Sequence, residues 1–342
     1  MELLDVLTVV YGTEARTIEL YRGDLTNLPT HETVDILVVS AFPNSYLPIS
    51  GTLIGSLYRR GVSVEELAKN KAVDLCSICS AWLSHELIAP PEGIAFKRIL
   101  CFEPPIFGNI TEVVGDIFRS LAPVLAIGDP VSVAMPLMTT SNRDEPVNQV
   151  VTALLDAATQ WMRLGLPVRR LKLFEQSAPK AAALKQAFAR LKAQYQTEPL
   201  PPRSIQQDNV FISYSKQDSS DKAYLIAAEL RQERPDMNIF LDRQALNPAT
   251  AWQQQIYDTI DRSHTMIALY SPAYLRSKAC QEEFNVAFYR HRTVGEPRLV
   301  PICLYSAQLP DYMKLLPSAD CREGDDQRLR AVCAEILATF NS

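Results

Sequence analysis

Residues 269–290 read LYSPAYLRSKACQEEFNVAFYR. The stretch opens on the end of an apolar run, Thr265 to Tyr270, with the length and composition of a buried strand. Ser271-Pro272 stops that strand, because a hydroxyl at the N-cap followed by Pro at the first helical position is a helix start. Ser277 is a second N-cap. Beyond it Cys280, Glu283, Phe284, Ala287 and Phe288 stand at i, i+3, i+4, i+7 and i+8, which is one face of a helix. Glu283 therefore falls on an apolar stripe, and Glu282 is expected on its polar flank. A carboxylate on an apolar face is costly unless it has a partner or a task. Spacing alone leaves two readings of Glu283. Either it sits at the edge of the stripe and reaches solvent or an Arg, or it is a buried acid with chemistry to perform.

Working outward, strands and helices alternate on both sides. Val210 to Tyr214 reads as a strand and Asp221 to Glu233 as a helix stopped by Pro235. Asn238 to Leu241 is a strand. A helix begins at Thr250, with Gln253 at capping-box spacing and Trp252, Ile256 and Ile260 on its buried side. After the Cys280 helix come a strand at Leu299 to Leu304 and a helix at Gln327 to Phe340. Repeated βα units of this kind give a parallel, doubly wound sheet, whose ligands sit beyond the carboxyl ends of the strands. Ser213, Tyr214, Asp242 and Ser271 lie at those ends, and the Glu283 helix reaches the same edge. Tyr214 either stacks on a ligand ring or packs in the core.

VFISYS at 210–215, IFLD at 239–242 and SPAYLRSKACQEEF at 271–284 resemble the Toll/interleukin-1 receptor (TIR) domain, especially its bacterial forms. The resemblance spans about residues 208 to 342 and implies a flavodoxin-like parallel-sheet fold. The family pattern Ser-x-Trp-Cys-x-x-Glu is matched by Ser277 to Glu283, with Ala279 in place of Trp. By this resemblance Glu283 is the carboxylate with which enzymatic members split NAD+. NAD+ is then a substrate and not a resident cofactor, and Ser213, Tyr214, Asp242, Ser271 and Cys280 contact it. The nicotinamide–ribose bond breaks through an oxocarbenium-like transition state, and nicotinamide leaves as a neutral amine. One carboxylate near the ribose suffices, and no general acid is needed. Asp242 to Ala249 matches the family's BB loop and implies self-association, with Pro248-Ala249 stiffening it. Likeness to the bacterial members implies a defence effector that depletes NAD+ or makes an ADP-ribose-derived signal. The rival reading is a non-catalytic module that only assembles partners. Ala279 favours the rival, and Glu283 on the stripe favours the enzyme.

The first half of the chain also alternates. Leu4 to Val10 and Arg16 to Tyr21 read as strands around a turn at Gly12, and Val34 to Ser40 (VDILVVS) as a central strand. Helices are expected at 52–60 and 64–69, a strand at 97–102, a helix at 111–126, a strand at 131–137, a helix at 146–164 and a strand at 168–174. The sum is an α/β sandwich with a mixed sheet over residues 1 to about 175. Gly23-Asp24-Leu25-Thr26, the Val34 strand and VSVAMPLMTTSNRDEPVNQ at 131–149 resemble the macro domain, an ADP-ribose-binding module. That resemblance implies that Asp24 contacts an adenine amino group and Gly51 faces a diphosphate. The family's Asn-Ala-Ala-Asn is here Ser40 to Asn44, and its glycine-rich loop is reduced to Ser50-Gly51-Thr52. Without those glycines backbone N–H groups approach phosphate less closely, so the ligand is a different nucleotide derivative or none. From its neighbours alone, Asp24 simply ends a strand in a turn. Residues 176–207 form a junction of one helix and a Pro-rich linker, EPLPPR at 198–203, before the second domain at 208–342.

Composition narrows the function classes. The 342-residue chain is 47% hydrophobic and 21% charged with a net charge of −5, which argues against a general nucleic-acid or membrane-surface binder. No apolar run is long enough to span a bilayer, and the N-terminus lacks a basic signal-peptide start. Seven Cys, mostly inside apolar runs, suit a reducing cytoplasm. Cys76-x-x-Cys79 stands without a second pair, and the four His residues form no metal spacing, so core packing is the better reading.

Overall fold

The apolar run VDILVVS becomes an interior strand of a sheet, with five of its seven residues at 3% exposure or less. The computed structural model describes residues 1–11, 13–103, 110–125, 131–137, 147–197, 206–241, 252–322 and 325–340. The chain divides into two units, Met1–Pro199 and Leu200–Ser342.

The first unit carries eight strands: β1 (Glu2–Tyr11), β2 (Glu14–Arg22), β3 (Val34–Ser40), β4 (Lys71–Asp74), β5 (Ala81–Ser84), β6 (Phe96–Phe102), β7 (Val131–Pro136) and β8 (Val168–Glu175). They line up as β1-β2-β8-β7-β3-β6-β5-β4. The run from β2 to β6 is parallel, while β1 at one edge and β5 and β4 at the other are antiparallel. The expected mixed α/β sheet is thus present. Helices α1 (Leu53–Arg59) and α2 (Val64–Lys69) bury Ile54, Leu57 and Val64 against Val34, Leu37 and Val39. A short α3 (Cys76–Cys79) follows, and then α4 (Ile110–Val124), α5 (Val147–Arg163) and α6 (Ala178–Thr197). Packing runs from α4 to α5 to α6, with Phe118, Leu154, Trp161 and Phe188 buried among them. The strands β4 and β5 were not legible in the sequence, because four residues are too few for periodicity to register. The α6 helix, expected in the junction, packs on β1, β2 and β8 and pairs Lys192 with Asp5 at 2.7 Å. The Pro-rich stretch after it lies outside the described residues.

Two local features matter later. Gly55 in α1 sits where a Cβ would stand 2.1 Å from the Ile49 carbonyl oxygen, so α1 is pressed onto the loop that carries Ser50 and Gly51. Across β2 and β8 runs a set of charges: Arg170 bonds Glu19 at 2.9 and 3.0 Å and Glu32 at 3.1 Å. Lys172, with its side chain 1% exposed, bonds the Glu32 carboxylate and, at 3.1 Å, the Glu32 carbonyl. Burial alone would raise Glu19, but bonds from Arg170, Thr17 and Tyr21 outweigh it and hold the acid below its usual range. The bond from Lys172 does the same for Glu32.

The second unit is a five-stranded, all-parallel sheet in the order β10-β9-β11-β12-β13. Its strands are β9 (Gln206–Ser213), β10 (Asn238–Phe240), β11 (Ser263–Tyr270), β12 (Arg298–Cys303) and β13 (Ala319–Asp320). Helix α7 (Ser220–Glu233) and α11 (Asp326–Phe340) pack together, burying Ile226, Leu230, Leu329 and Ile336 against Val210, Ile212 and Ile267. The remaining helices are α8 (Trp252–Arg262), α9 (Pro272–Arg276) and α10 (Lys278–Val294), with α10 touching α8, α9, β9 and β12. No helix among the described residues is long and apolar enough to cross a membrane.

Candidate functional site

The two helix starts read from the sequence are both built as hydroxyl caps. Ser271 accepts the Tyr274 N–H at 3.0 Å with Pro272 at the first helical position of α9. Ser277 accepts the Cys280 N–H at 3.3 Å and starts α10. The Ser277 cap sets the start of α10, on which Cys280 and Glu283 reach the carboxyl end of β9.

The one-sided stripe expected for α10 needs correction. Every residue from Gln281 to Arg290 is buried, so the helix is covered on all sides over that span. Glu282, expected on a polar flank, is 5% exposed and accepts the hydroxyl of Tyr257 from α8. The reason is that α8 packs on the side of α10 that a surface helix would give to water. Arg290, 1% exposed, forms an ion pair with Asp261 of the same α8.

Glu283 is itself 2% exposed. Its Oε2 accepts the hydroxyl of Ser213, the last residue of β9, at 2.6 Å. Ser213 Oγ lies 3.0 Å from the Tyr274 hydroxyl on α9, and both residues are buried. Burial, the neighbouring Cys280 and the charge of Glu283 push the Tyr274 phenol well above its usual range. The sequence placed Ser213 and Glu283 at one edge, and the structure joins them directly.

The other sequence-derived site residues with described positions sit as follows. The Cys280 thiol, fully buried, donates to the Tyr214 carbonyl at 3.3 Å. Tyr214 is 6% exposed, with its ring 6.5 Å from that of Tyr224 in an edge arrangement. Ser271 donates to Asp218 at 2.7 Å. Asp242 lies outside the described residues, as does the rest of the segment to Ala249. Ala279 is half-buried.

Two residues that the spacing did not single out hold the edge together. Asp218, in the loop between β9 and α7, accepts from Ser219 and Ser271 at 2.7 Å each and from the Ala273 N–H at 3.0 Å. It therefore ties the loop after β9 to the first turn of α9. Tyr274 lies three residues beyond an N-cap, and nothing in its neighbours tells where its hydroxyl goes. For Asp218 a signal existed, since Asp-Ser-Ser ahead of a helix is capping chemistry, although the helix it caps is α9 and not its own.

In the first unit the two residues carried over by resemblance sit as follows. Asp24 Oδ1 accepts from both the N–H and the hydroxyl of Thr26, at 2.9 and 2.7 Å, and Oδ2 stands 3.9 Å from Arg60. This is the turn its sequence neighbours suggested. Gly51 has φ of +84° and open space where a Cβ would be. Glu103, buried just past β6, takes three donors: the Asn44 N–H at 3.0 Å, the Tyr46 hydroxyl at 2.6 Å and the Trp82 indole at 2.9 Å.

Comparison with known proteins places part of the chain. Residues 210–334 match the sequence model of the TIR domain family. The chain is similar to Toll-like receptor 2 from Bos indicus, 30% identical over 107 residues, covering 31% of this chain and 14% of that protein. With Toll-like receptor 2 from Pan troglodytes it shares 27% over 139 residues, covering 41% and 17%. The chain thus spans about a seventh of the length of the first of these relatives. Among solved structures, the Oceanobacillus iheyensis macrodomain with ADP matches with 14% identity and a TM-score of 0.42, over 57% of this chain and 100% of that one. The TIR domain of a Toll-related receptor from Hydra magnipapillata matches with 17% identity and a TM-score of 0.30, over 39% and 98%.

Proposed function

We propose, for a chain whose residues 210–334 form a TIR domain, that the second unit cleaves NAD+ at the nicotinamide–ribose bond with Glu283 as the catalytic carboxylate. The observation that carries this reading is an acid, 2% exposed, held by a serine hydroxyl at the carboxyl edge of a parallel sheet. In the reaction the C1′–N bond breaks and its electron pair stays on nicotinamide, which departs neutral. The ribose is left as an oxocarbenium ion. Glu283 stabilises that developing charge and accepts from the ribose hydroxyls. Water, losing a proton, then adds at C1′ to give ADP-ribose, or a nucleophile of the same molecule closes a cyclic product. To take a ribose hydroxyl, Glu283 exchanges the Ser213 donor for the substrate's. Ser213, Tyr214, Ser271 and Cys280 contact the substrate in this reading, and so does Asp242 by its place in the sequence motif. In this reading the chain is a cytoplasmic defence effector that consumes NAD+, and its first unit controls the second through a nucleotide-derived ligand unlike free ADP-ribose.

Two observations favour a second reading, a non-catalytic module that assembles partners. The same acid is sealed from solvent, and Ala279 replaces the family's Trp. The deciding measurement is chromatographic detection of nicotinamide after the intact protein is incubated with NAD+. Stoichiometric release over time, lost in Glu283→Gln, supports the enzyme. No release at concentrations where the protein self-associates supports the assembly module.

A further inference from the structure

A serine hydroxyl has one hydrogen to give. As a carboxylate Glu283 can only accept, so the 2.6 Å contact uses Ser213's own hydrogen. The 3.0 Å contact with Tyr274 must then run the other way, with the phenol donating and Ser213 Oγ accepting. The phenol is in turn anchored. The Tyr274 N–H is bound by Ser271 Oγ at 3.0 Å, and Ser271 gives its hydrogen to Asp218 at 2.7 Å. Asp218 also takes the Ala273 N–H, one residue before Tyr274. The ring packs 5.8 Å from that of Tyr270. Every side chain along this line other than Asp218 is buried.

We propose that Tyr274 is a positioning residue for Glu283, its phenol donating to Ser213 and so committing the serine hydrogen to the carboxylate. The proposal rests on reading Glu283 as the acid that cleaves NAD+. Donors in series polarise one another, so the phenol strengthens Ser213 as a donor to an anion. A protonated Glu283 would be a weaker acceptor of the Ser213 hydrogen than the carboxylate, so the arrangement with the phenol as first donor favours the ionised acid. The groups that bear on this balance come from several elements. Cys280 of α10, Glu283 and Tyr270 at the end of β11 bear on the Tyr274 phenol, and Cys303 of β12 and Tyr312 bear on Tyr270. On the α8 side of α10, Glu282 is engaged with Tyr257 and Arg290 with Asp261.

The test uses the intact chain as wild type, Tyr274→Phe, Ser213→Ala and the double variant. Nicotinamide release from NAD+ is followed across pH, and the Glu283 carboxyl carbon is titrated by ¹³C NMR, assigned by its loss in Glu283→Gln. Tyr274→Phe is expected to lower kcat about fivefold with KM little changed, the effect of one hydrogen bond. It is also expected to move the acid limb of the rate profile and the Glu283 midpoint upward. Ser213→Ala is expected to move both further, and the double variant to match Ser213→Ala alone. An unmoved Glu283 midpoint in Tyr274→Phe overturns the proposal. So does a Tyr274→Phe effect that persists in full in the Ser213→Ala background. Phe keeps the ring and its packing, so a purely structural role would leave the midpoint where it was. If the wild type releases no nicotinamide, the enzymatic reading fails by itself, and the carboxyl titration still decides whether Tyr274 acts through Ser213.

Discussion

At Glu283 and Glu282, two neighbouring acids of α10 are buried for different ends. Glu283→Gln keeps shape and hydrogen bonding to Ser213 while removing the charge, so nicotinamide release is expected to vanish while the circular dichroism spectrum stays unchanged. Glu282→Gln keeps an acceptor for Tyr257, so release is expected to persist, with stability lowered by about 1 kcal/mol in urea unfolding. Glu283 could be found in the sequence because Cys280, Phe284, Ala287 and Phe288 mark its face. Glu282 was misplaced because periodicity identifies a buried face only when the opposite face meets water, and α10 has no such face from Gln281 to Arg290. Tyr274 was out of reach for a further reason. Its role lies in the direction of one hydroxyl, which depends on where β9 ends in space and not on the residues beside it.

Among the elements, the alternation of strands and helices was legible almost throughout, while the cross-links between loops were not. Asp218 joins the β9–α7 loop to α9 through three accepted hydrogen bonds. Asp218→Ala is expected to lower stability by about 2 to 3 kcal/mol, since the Ala273 N–H and the Ser271 hydroxyl lose their acceptor. In the first unit the link is electrostatic. Glu19 and Glu32 both titrate below the usual 4.5, and a group with a lowered folded value gives stability that is present above the unfolded value. That contribution is lost as pH falls through the folded values. The urea midpoint of the first unit is therefore expected to decline below about pH 4.5, and Glu32→Gln to reduce that dependence. Glu32→Gln also leaves Lys172 buried without its counter-charge, with an expected loss of about 3 kcal/mol at neutral pH.

Each unit has a hydrophobic core of its own, which predicts that unfolding of the whole molecule is not a single two-state event. Calorimetry is expected to show two transitions, with Glu32→Gln lowering one and Asp218→Ala the other. If the second unit acts through self-association, nicotinamide released per molecule is expected to rise with protein concentration. A specific activity that stays flat into the strictly monomeric range would count against it. Gly55 adds a constraint that belongs to inheritance. Any side chain there would drive a Cβ to 2.1 Å from the Ile49 carbonyl oxygen, and the atoms it meets are backbone of Pro48 and Ile49, which cannot swing aside as a side chain would. Every missense change of a glycine codon introduces a Cβ. In a saturation library of the gene, codon 55 should therefore return glycine alone, while codon 51, equally a glycine but facing open space, should admit asparagine or aspartate, which tolerate its left-handed backbone.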